Sequence, residues 1–220
     1  MEREQLFAGR RCFLLGDEGA ECVLLQPVDP RGSRSFAKLA EAIHASAPRK
    51  PFLLCGFPVD DWNDDLSPWP APPAFRGKGF GGQAEKTLGF LADGLLPALG
   101  TDRQICLGGY SMAGLFSLWA ALEYGGFAGA AGISPSLWFP GWADYARERQ
   151  ICTEAVYLSL GTKEENTRFQ DMTSSGESIR ALEGQLTAQS VSHILEWNPG
   201  GHFSDPTGRT ARGFAWLLNQ

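Results

Sequence analysis

The sequence predicts an α/β protein: a mainly parallel central sheet with helices on both faces, in one domain covering residues 1–220. Three observations predict it. Short apolar runs alternate with segments of helical period, the pattern of a parallel sheet crossed by helices. The 220 residues are 43% hydrophobic and 20% charged, enough apolar material for one packed core. No internal repeat or low-complexity tract interrupts the alternation.

Strands are expected at Arg11–Leu15, Cys22–Gln26, Pro51–Cys55, Arg103–Leu107, Phe127–Ile133, Ala155–Leu160 and Ser192–Trp197. The first two have polar and charged neighbours and are expected as antiparallel edge strands. Helices are expected at Ser35–Ser46, Ala84–Leu96, Met112–Glu123, Ser175–Ser190 and Thr210–Asn219. Leu88, Leu91, Ala92 and Leu95 share one face of the second helix, which suits packing on a sheet, and Pro97 is expected to end it.

Composition excludes several function classes. The net charge is −6 and no Lys/Arg cluster is present, so a nucleic-acid partner is not expected. The five cysteines are odd in number and widely spaced, without a Cys-x-x-Cys pair, which argues against a zinc site or a redox dithiol. Four of them lie in or beside apolar runs and are expected to be buried, reduced thiols. The opening "MEREQLFAGRR" lacks the apolar core of a signal peptide. The longest apolar region, Met112 to Ile133, is broken by Glu123 and Gly125-Gly126, so no membrane span is expected. A cytoplasmic location is the expectation, with the oligomeric state left open, a homo-oligomer included.

One connection is long. From Phe57 to Gly82 the chain carries five prolines, four glycines, four aspartates and two tryptophans, with no sustained period. A connection of this length in a compact domain is usually functional or disordered, and its aromatic residues disfavour disorder. It is expected to be an ordered wall over a site at the strand ends. Its last part, "GKGFGG", matches G-x-G-x-x-G but ends a proline-rich loop instead of following a strand, which makes it a weak nucleotide signal.

The stretch that carries chemistry is "GGYSMAG" (108–114), between an expected strand and an expected helix. A strand that enters a helix through a very tight turn needs small residues around the turn, and Gly109, Ala113 and Gly114 supply them. This is the G-x-S-x-G nucleophile elbow with alanine in the last slot, and Ser111 is its nucleophile candidate. Unpaired N–H groups at the start of the helix at Met112 would face a developing oxyanion. The competing reading is a glycine-rich turn with a helix-capping serine.

A nucleophilic serine needs a base, and the base needs an orienting carboxylate. Of the three histidines, His44 falls in a helix and His193 in the last strand. His202, in "NPGGHFSD", comes from a loop at a strand's C-terminal end and is the candidate base. The acid is expected between serine and histidine. "GTKEEN" follows the strand 155–160, and Glu164 and Glu165 are its candidates, with Asp171 third. Spacing does not choose between the two glutamates. Both also suit an acidic, solvated helix start.

"GGYSMAG", "SPSLW" (134–138), "LGTKEEN" (160–166) and "GGHF" (200–203), with "DDWNDDLSPWP" and "FGG" upstream, span most of the chain. In this set the sequence resembles the esterase family of α/β-hydrolases that includes enterochelin-type siderophore esterases, esterase D and feruloyl esterases. The resemblance implies an α/β-hydrolase fold, and the shortness of the chain departs from the family in leaving no room for a large lid domain, so a compact form is expected. It implies a serine hydrolase that cleaves a carboxylic ester of a small molecule, without metal or organic cofactor. It favours Glu164 as the acid, with Glu165 next. It implies one oxyanion N–H from Met112 and a second from Gly56 or Phe57, in the loop after an earlier strand. Trp138 is implied near the pocket, with a core aromatic as the competing reading; Tyr110 and Trp62 are also expected at the pocket. Further departures are Ala113, which replaces the commoner glycine, and Asp60, Asp61, Asp64 and Asp65, which make the long loop acidic and argue against an anionic siderophore. The same residues would serve a thioesterase or acyltransferase. A catalytically silent domain that binds a ligand or partner through the Trp-containing loop is the reading from a different class.

Overall fold

The structure is a computed structural model that describes residues 2–29, 33–74, 77–100, 102–165 and 173–220. In chain order its elements are β1 (Arg3–Phe7), β2 (Arg10–Gly16), β3 (Cys22–Val28), α1 (Ser33–Ser46), β4 (Leu53–Pro58), α2 (Trp62–Asp65), β5 (Pro70–Ala71) and β6 (Phe80–Gly81). A helical stretch follows as α3 (Ala84–Gly89), a π turn (Phe90–Leu95) and α4 (Leu96–Leu99). The second half holds β7 (Gln104–Tyr110), α5 (Met112–Glu123), β8 (Gly129–Ile133), α6 (Trp142–Arg147), β9 (Ala155–Gly161), α7 (Ser175–Ala188), β10 (Ser192–Asn198) and α8 (Pro206–Leu217).

Among the described residues the main sheet has eight strands in the order β1-β2-β4-β3-β7-β8-β9-β10. β1 pairs antiparallel with β2, and β2 with β4; every other pairing is parallel. Helices cover both faces. On one, Leu91 and Leu95 of the π turn, Leu115, Phe116 and Leu118 of α5, and Ile179 and Leu182 of α7 pack against Val23, Leu25, Leu107 and Leu158. On the other, Phe36, Leu39 and Ile43 of α1 and Phe214 and Leu217 of α8 pack against Leu24, Cys106 and Tyr157. Neighbouring residues of one strand thus serve opposite cores. That is why these strands read as continuous apolar runs instead of alternating ones.

Four expectations are corrected. Cys22–Gln26 belongs to a central strand: β3 pairs in parallel with β4 on one side and β7 on the other. The polar residues before it form the turn from β2. The edge is β1, unexpected from the sequence because four of its five residues are exposed. Pro97 does not end its helix, which continues through Leu99. The π turn lets the Leu96 N–H donate to the Leu91 carbonyl and places Pro97 in a fresh first turn, where its missing N–H costs nothing. The long connection carries structure of its own, since β4 runs on to Pro58 and α2, β5 and β6 follow. Cys12, Cys22, Cys55 and Cys106 are buried and free, while Cys152 is exposed. Among the described residues no helix is long and apolar enough to cross a membrane.

The parallel strands β7, β9 and β10 end on the same side of the sheet. The loops that leave them carry Ser111, Glu164 and His202.

Candidate active site

Ser111 stands between β7 and α5 with φ of 59° and ψ of −118°, in the region that side-chain-bearing residues rarely adopt. Such backbone strain costs about 1–3 kcal/mol and persists where the surroundings fix it. Here they do: the Ser111 N–H donates to the Ile133 carbonyl (3.0 Å), and its carbonyl accepts from Ser136 N (3.1 Å) and Leu115 N (3.0 Å). The small residues are needed. A Cβ on Gly109 would meet Ala113 Cβ at 2.4 Å, and one on Gly114 would meet the Gly109 carbonyl oxygen at 2.9 Å. The serine makes no side-chain cap to the helix, so the capping reading does not hold.

Its hydroxyl faces His202 instead, with Oγ 3.1 Å from Nε2. On the other side of the ring, Nδ1–H donates to Glu164 Oε2 at 2.7 Å. A carboxylate only accepts, so this bond fixes the tautomer that leaves Nε2 free to take a proton. Ser136 Oγ, 3.2 Å from Ser111 Oγ, is a second hydroxyl at the same point.

Glu164 is only 6% exposed and is held by several donors. Its Oε1 accepts from the Ser134 hydroxyl (2.6 Å), the Gly161 N–H (2.7 Å) and Arg209 Nη1 (3.3 Å). Burial pushes the carboxyl up, but hydrogen bonds from His202, Ser134 and Gly161 outweigh it and hold the group below the usual glutamate value. A Cβ on Gly161 would sit 2.6 Å from the Gly200 carbonyl oxygen and 2.8 Å from Glu164 Oε1, so the acid loop and the histidine loop need glycine to meet. Glu165 points elsewhere, to a two-pronged ion pair with Arg180 at 2.7 Å on each prong. Asp171 lies outside the described residues. His193, on β10, instead bonds the Val191 carbonyl and the Thr187 hydroxyl of α7.

Tyr110 precedes the serine, and its hydroxyl donates to the His202 carbonyl while accepting from Arg209 Nη1 at 3.1 Å. Burial raises its phenol above the ordinary value. Tyr110 and Trp62 line a cavity of about 140 Å³ with Gln26, Leu39, Ala113 and Thr207. Trp138 is not in that wall. It is half-buried and packs edge-on against Phe80, with ring centroids 6.1 Å apart.

Met112 is the first residue of α5, where the N–H has no acceptor within the helix. Gly56 and Phe57 are not brought to the serine. They lie on β4, and β3 stands between that strand and β7. The correction is topological: the chain order of the strands is not their order in the sheet. The strand flanking β7 on that side is β3, which ends at Val28.

The acidic loop is largely consumed internally. Asp61 caps α2, accepting from Asn63 N and Asp64 N. Lys78 pairs with Asp61 (2.7 Å) and Asp64 (2.6 Å), and Asp65 accepts from the backbone of Asp60 and Asp61. Lys78 comes from "GKGFGG", which thereby has a structural use. The bonding partners Ser134, Ser136 and Arg209 were not expected from sequence. The two serines sit inside the quoted "SPSLW", whereas Arg209 carries no motif at all. Among the described residues no group of three or more His, Cys, Asp or Glu is placed to hold a metal ion.

No protein-family model matches this chain, and no curated protein matches it in sequence. Solved structures do match in shape. An IroE-like serine hydrolase from Shewanella oneidensis superposes with a TM-score of 0.79 at 15% identity, over 100% of this chain and 80% of that one. The chain has the fold of these esterases. The siderophore hydrolase EstA from Aspergillus nidulans gives 0.69 at 17% identity, over 100% and 94% of the two chains. The enterochelin esterase from Shigella flexneri gives 0.73 at 18% identity, over 98% of this chain and 57% of its own. At such identities the likeness is one of fold: a mostly parallel sheet flanked by helices, of the α/β-hydrolase type.

Proposed function

We propose that this protein is a serine hydrolase that cleaves a carboxylic ester through an acyl-enzyme. The observation that carries the reading is the unbroken chain Ser111 Oγ–His202 Nε2 and His202 Nδ1–Glu164 Oε2, at 3.1 and 2.7 Å. His202 takes the hydroxyl proton as Ser111 attacks the ester carbonyl. Glu164, ionised because its hydrogen bonds outweigh its burial, stabilises the imidazolium. The Met112 N–H, at the positive end of α5, faces the oxyanion. His202 then protonates the leaving alcohol and activates the water that releases the acid.

The substrate in this reading is a small-molecule ester, one part of which occupies the cavity walled by Tyr110 and Trp62. Three of the loop's four aspartates serve its own architecture, Asp61 and Asp64 paired with Lys78 and Asp65 accepting from the Asp60 and Asp61 N–H groups, which weakens the case that the loop's acidity is there to exclude an anionic ester. Siderophore esters therefore join the substrate panel. No metal or organic cofactor takes part in these steps, and a cytoplasmic location belongs to the same reading. The test is a panel of esters varied in acyl length and charge, run with wild type and Ser111→Ala. Turnover by wild type and a loss of up to about a million-fold in the variant support the reading. Equal rates for the two proteins contradict it.

A further inference from the structure

Ser136 is 1% exposed, and its hydroxyl stands 3.2 Å from Ser111 Oγ. The loop after β8 that carries it, residues 134–136, is held from several sides. Ser134 takes φ of 41°, in the region that side-chain-bearing residues rarely adopt, and its N–H donates to the Ser159 carbonyl (2.8 Å). The ring of Pro135 fixes the next φ. Pro135 also packs closely on α5, so that a Cβ on Gly114 would meet its Cα at 3.1 Å. The Ser136 N–H donates to the Ser111 carbonyl (3.1 Å), and its own carbonyl accepts from Phe139 N (3.0 Å). One short loop places the Ser134 hydroxyl on Glu164 Oε1 and the Ser136 hydroxyl on the nucleophile.

The direction of the Ser136 bond follows from its neighbours. His202 Nδ1–H donates to Glu164, so Nε2 is an acceptor, and the Ser111 O–H is the donor that reaches it. Ser111 Oγ keeps lone pairs free, and the Ser136 O–H is the donor that meets them. Among the described residues Ser136 Oγ has no other hydrogen-bond partner. At 3.2 Å the bond is longer than the ~2.7–2.8 Å of an ordinary O–H···O bond, so it is loosely made in the resting site. An acceptor that gains negative charge draws such a donor in, because charge-assisted hydrogen bonds are shorter and about twice as strong. Stability does not call for this hydroxyl. An alanine at position 136 would keep the backbone bond to Ser111 and leave no buried hydroxyl to satisfy.

We propose that Ser136 is a catalytic residue whose O–H donates to Ser111 Oγ and stabilises the negative charge on that oxygen as its proton moves to and from His202. In acylation the Ser111 proton passes to His202 Nε2 while Oγ bonds to the carbonyl carbon. In deacylation the bond between Oγ and that carbon breaks and the proton returns. Ser136 keeps its own proton throughout. Oγ is most negative between these states, so the bond from Ser136 stabilises the transition states more than the resting enzyme. Both steps gain alike, by about tenfold, the worth of one hydrogen bond that becomes charge-assisted. The Met112 N–H faces the carbonyl oxygen; Ser136 serves the oxygen that attacks and leaves.

This inference rests on the serine-hydrolase reading, and the experiment separates the two. Wild type is compared with Ser136→Ala, Ser136→Cys, which keeps the bulk with a weak donor, and Ser136→Thr, which restores the hydroxyl. The readouts are the rate of Ser111 labelling by a fluorophosphonate, kcat and KM on para-nitrophenyl acetate, and thermal midpoints. In the Ala and Cys variants labelling and kcat are expected to fall by about tenfold with KM unchanged, the mark of an interaction made in the transition state. The Thr variant stays near wild type. Labelling and kcat at the wild-type level in the Ala variant overturn the role of Ser136 alone. A raised KM with kcat unchanged also overturns it, because the hydroxyl then serves substrate binding. So does a Thr variant as slow as the Ala variant, because the loss then follows the packing of the loop. If the Ala variant does not fold, the Cys variant decides, and failure of both to fold makes the hydroxyl structural and overturns the proposal. Wild type that takes no label removes the parent reading and this one together.

Discussion

Glu164 and Glu165 are chain neighbours that serve opposite partners. Glu164 turns inward to His202 Nδ1 at 2.7 Å, while Glu165 turns outward to Arg180 at 2.7 Å. The first is 6% exposed and braced by Ser134, Gly161 and Arg209; the second is a surface ion pair. A choice that the motif "GTKEEN" left open is thus made by where each carboxylate finds its donors.

Glu164→Gln keeps the shape but loses the charge that fixes the His202 tautomer. Ester turnover is expected to fall by about ten-thousand-fold, whereas Glu165→Gln changes it less than about twofold. Steady-state kinetics on one reactive ester compare the two, and equal losses would mean that the acid has been misassigned.

The close approach of the acid and histidine loops predicts a penalty for any side chain at Gly161. In Gly161→Ala the new methyl meets the Gly200 carbonyl and Glu164 Oε1 at less than 3 Å. A loss of about 1–3 kcal/mol in stability is expected, together with slower turnover, because the methyl pushes the acid from the imidazole. Thermal denaturation and kinetics on the same preparation check both effects. A variant as stable and as fast as wild type would show that the loops tolerate separation.

Glu164 also predicts a pH dependence of stability. Its carboxyl lies below the ordinary glutamate value in the folded state, so the unfolded chain binds the proton more tightly. Stability from this group is complete above the unfolded value of about 4.3 and is lost as pH falls through the folded one. The gap in denaturation midpoint between wild type and Glu164→Gln should therefore shrink in acid, starting below about pH 5. A gap that widens on acidification would reverse the sign of the assignment.

Asp61 tests whether the acidic loop is architecture or recognition. Its side chain accepts from Asn63 N and Asp64 N and pairs with Lys78. Asp61→Ala should cost about 1 kcal/mol, the usual worth of an N-cap, and leave labelling of Ser111 unchanged. Unchanged stability with altered ester preference would move this aspartate from the scaffold to the pocket.

Much of this was legible in the sequence because local constraints carry it. Gly109, Ala113 and Gly114 could be read as a tight turn since crowding there involves residues only a few positions apart. His202 could be chosen over His44 and His193 from its loop position alone. The rest depended on how distant segments meet. Gly56 and Phe57 were expected at the oxyanion because the family resemblance points to the loop after an earlier strand, yet in the sheet β3 lies between β4 and β7. Arg209 left no trace in the sequence because its partners, Tyr110 and Glu164, are 99 and 45 positions away. The edge strand β1 escaped for another reason: its mostly exposed side chains give no apolar period.

The central claim is that Ser111 is a nucleophile activated by His202. The most direct measurement is intact-mass and peptide mapping of wild type and Ser111→Ala after reaction with a fluorophosphonate, with circular dichroism to show that both are folded. The account predicts one adduct, on the peptide containing Ser111, and none in the variant. A folded wild type without an adduct, or an adduct that persists in Ser111→Ala, would contradict it.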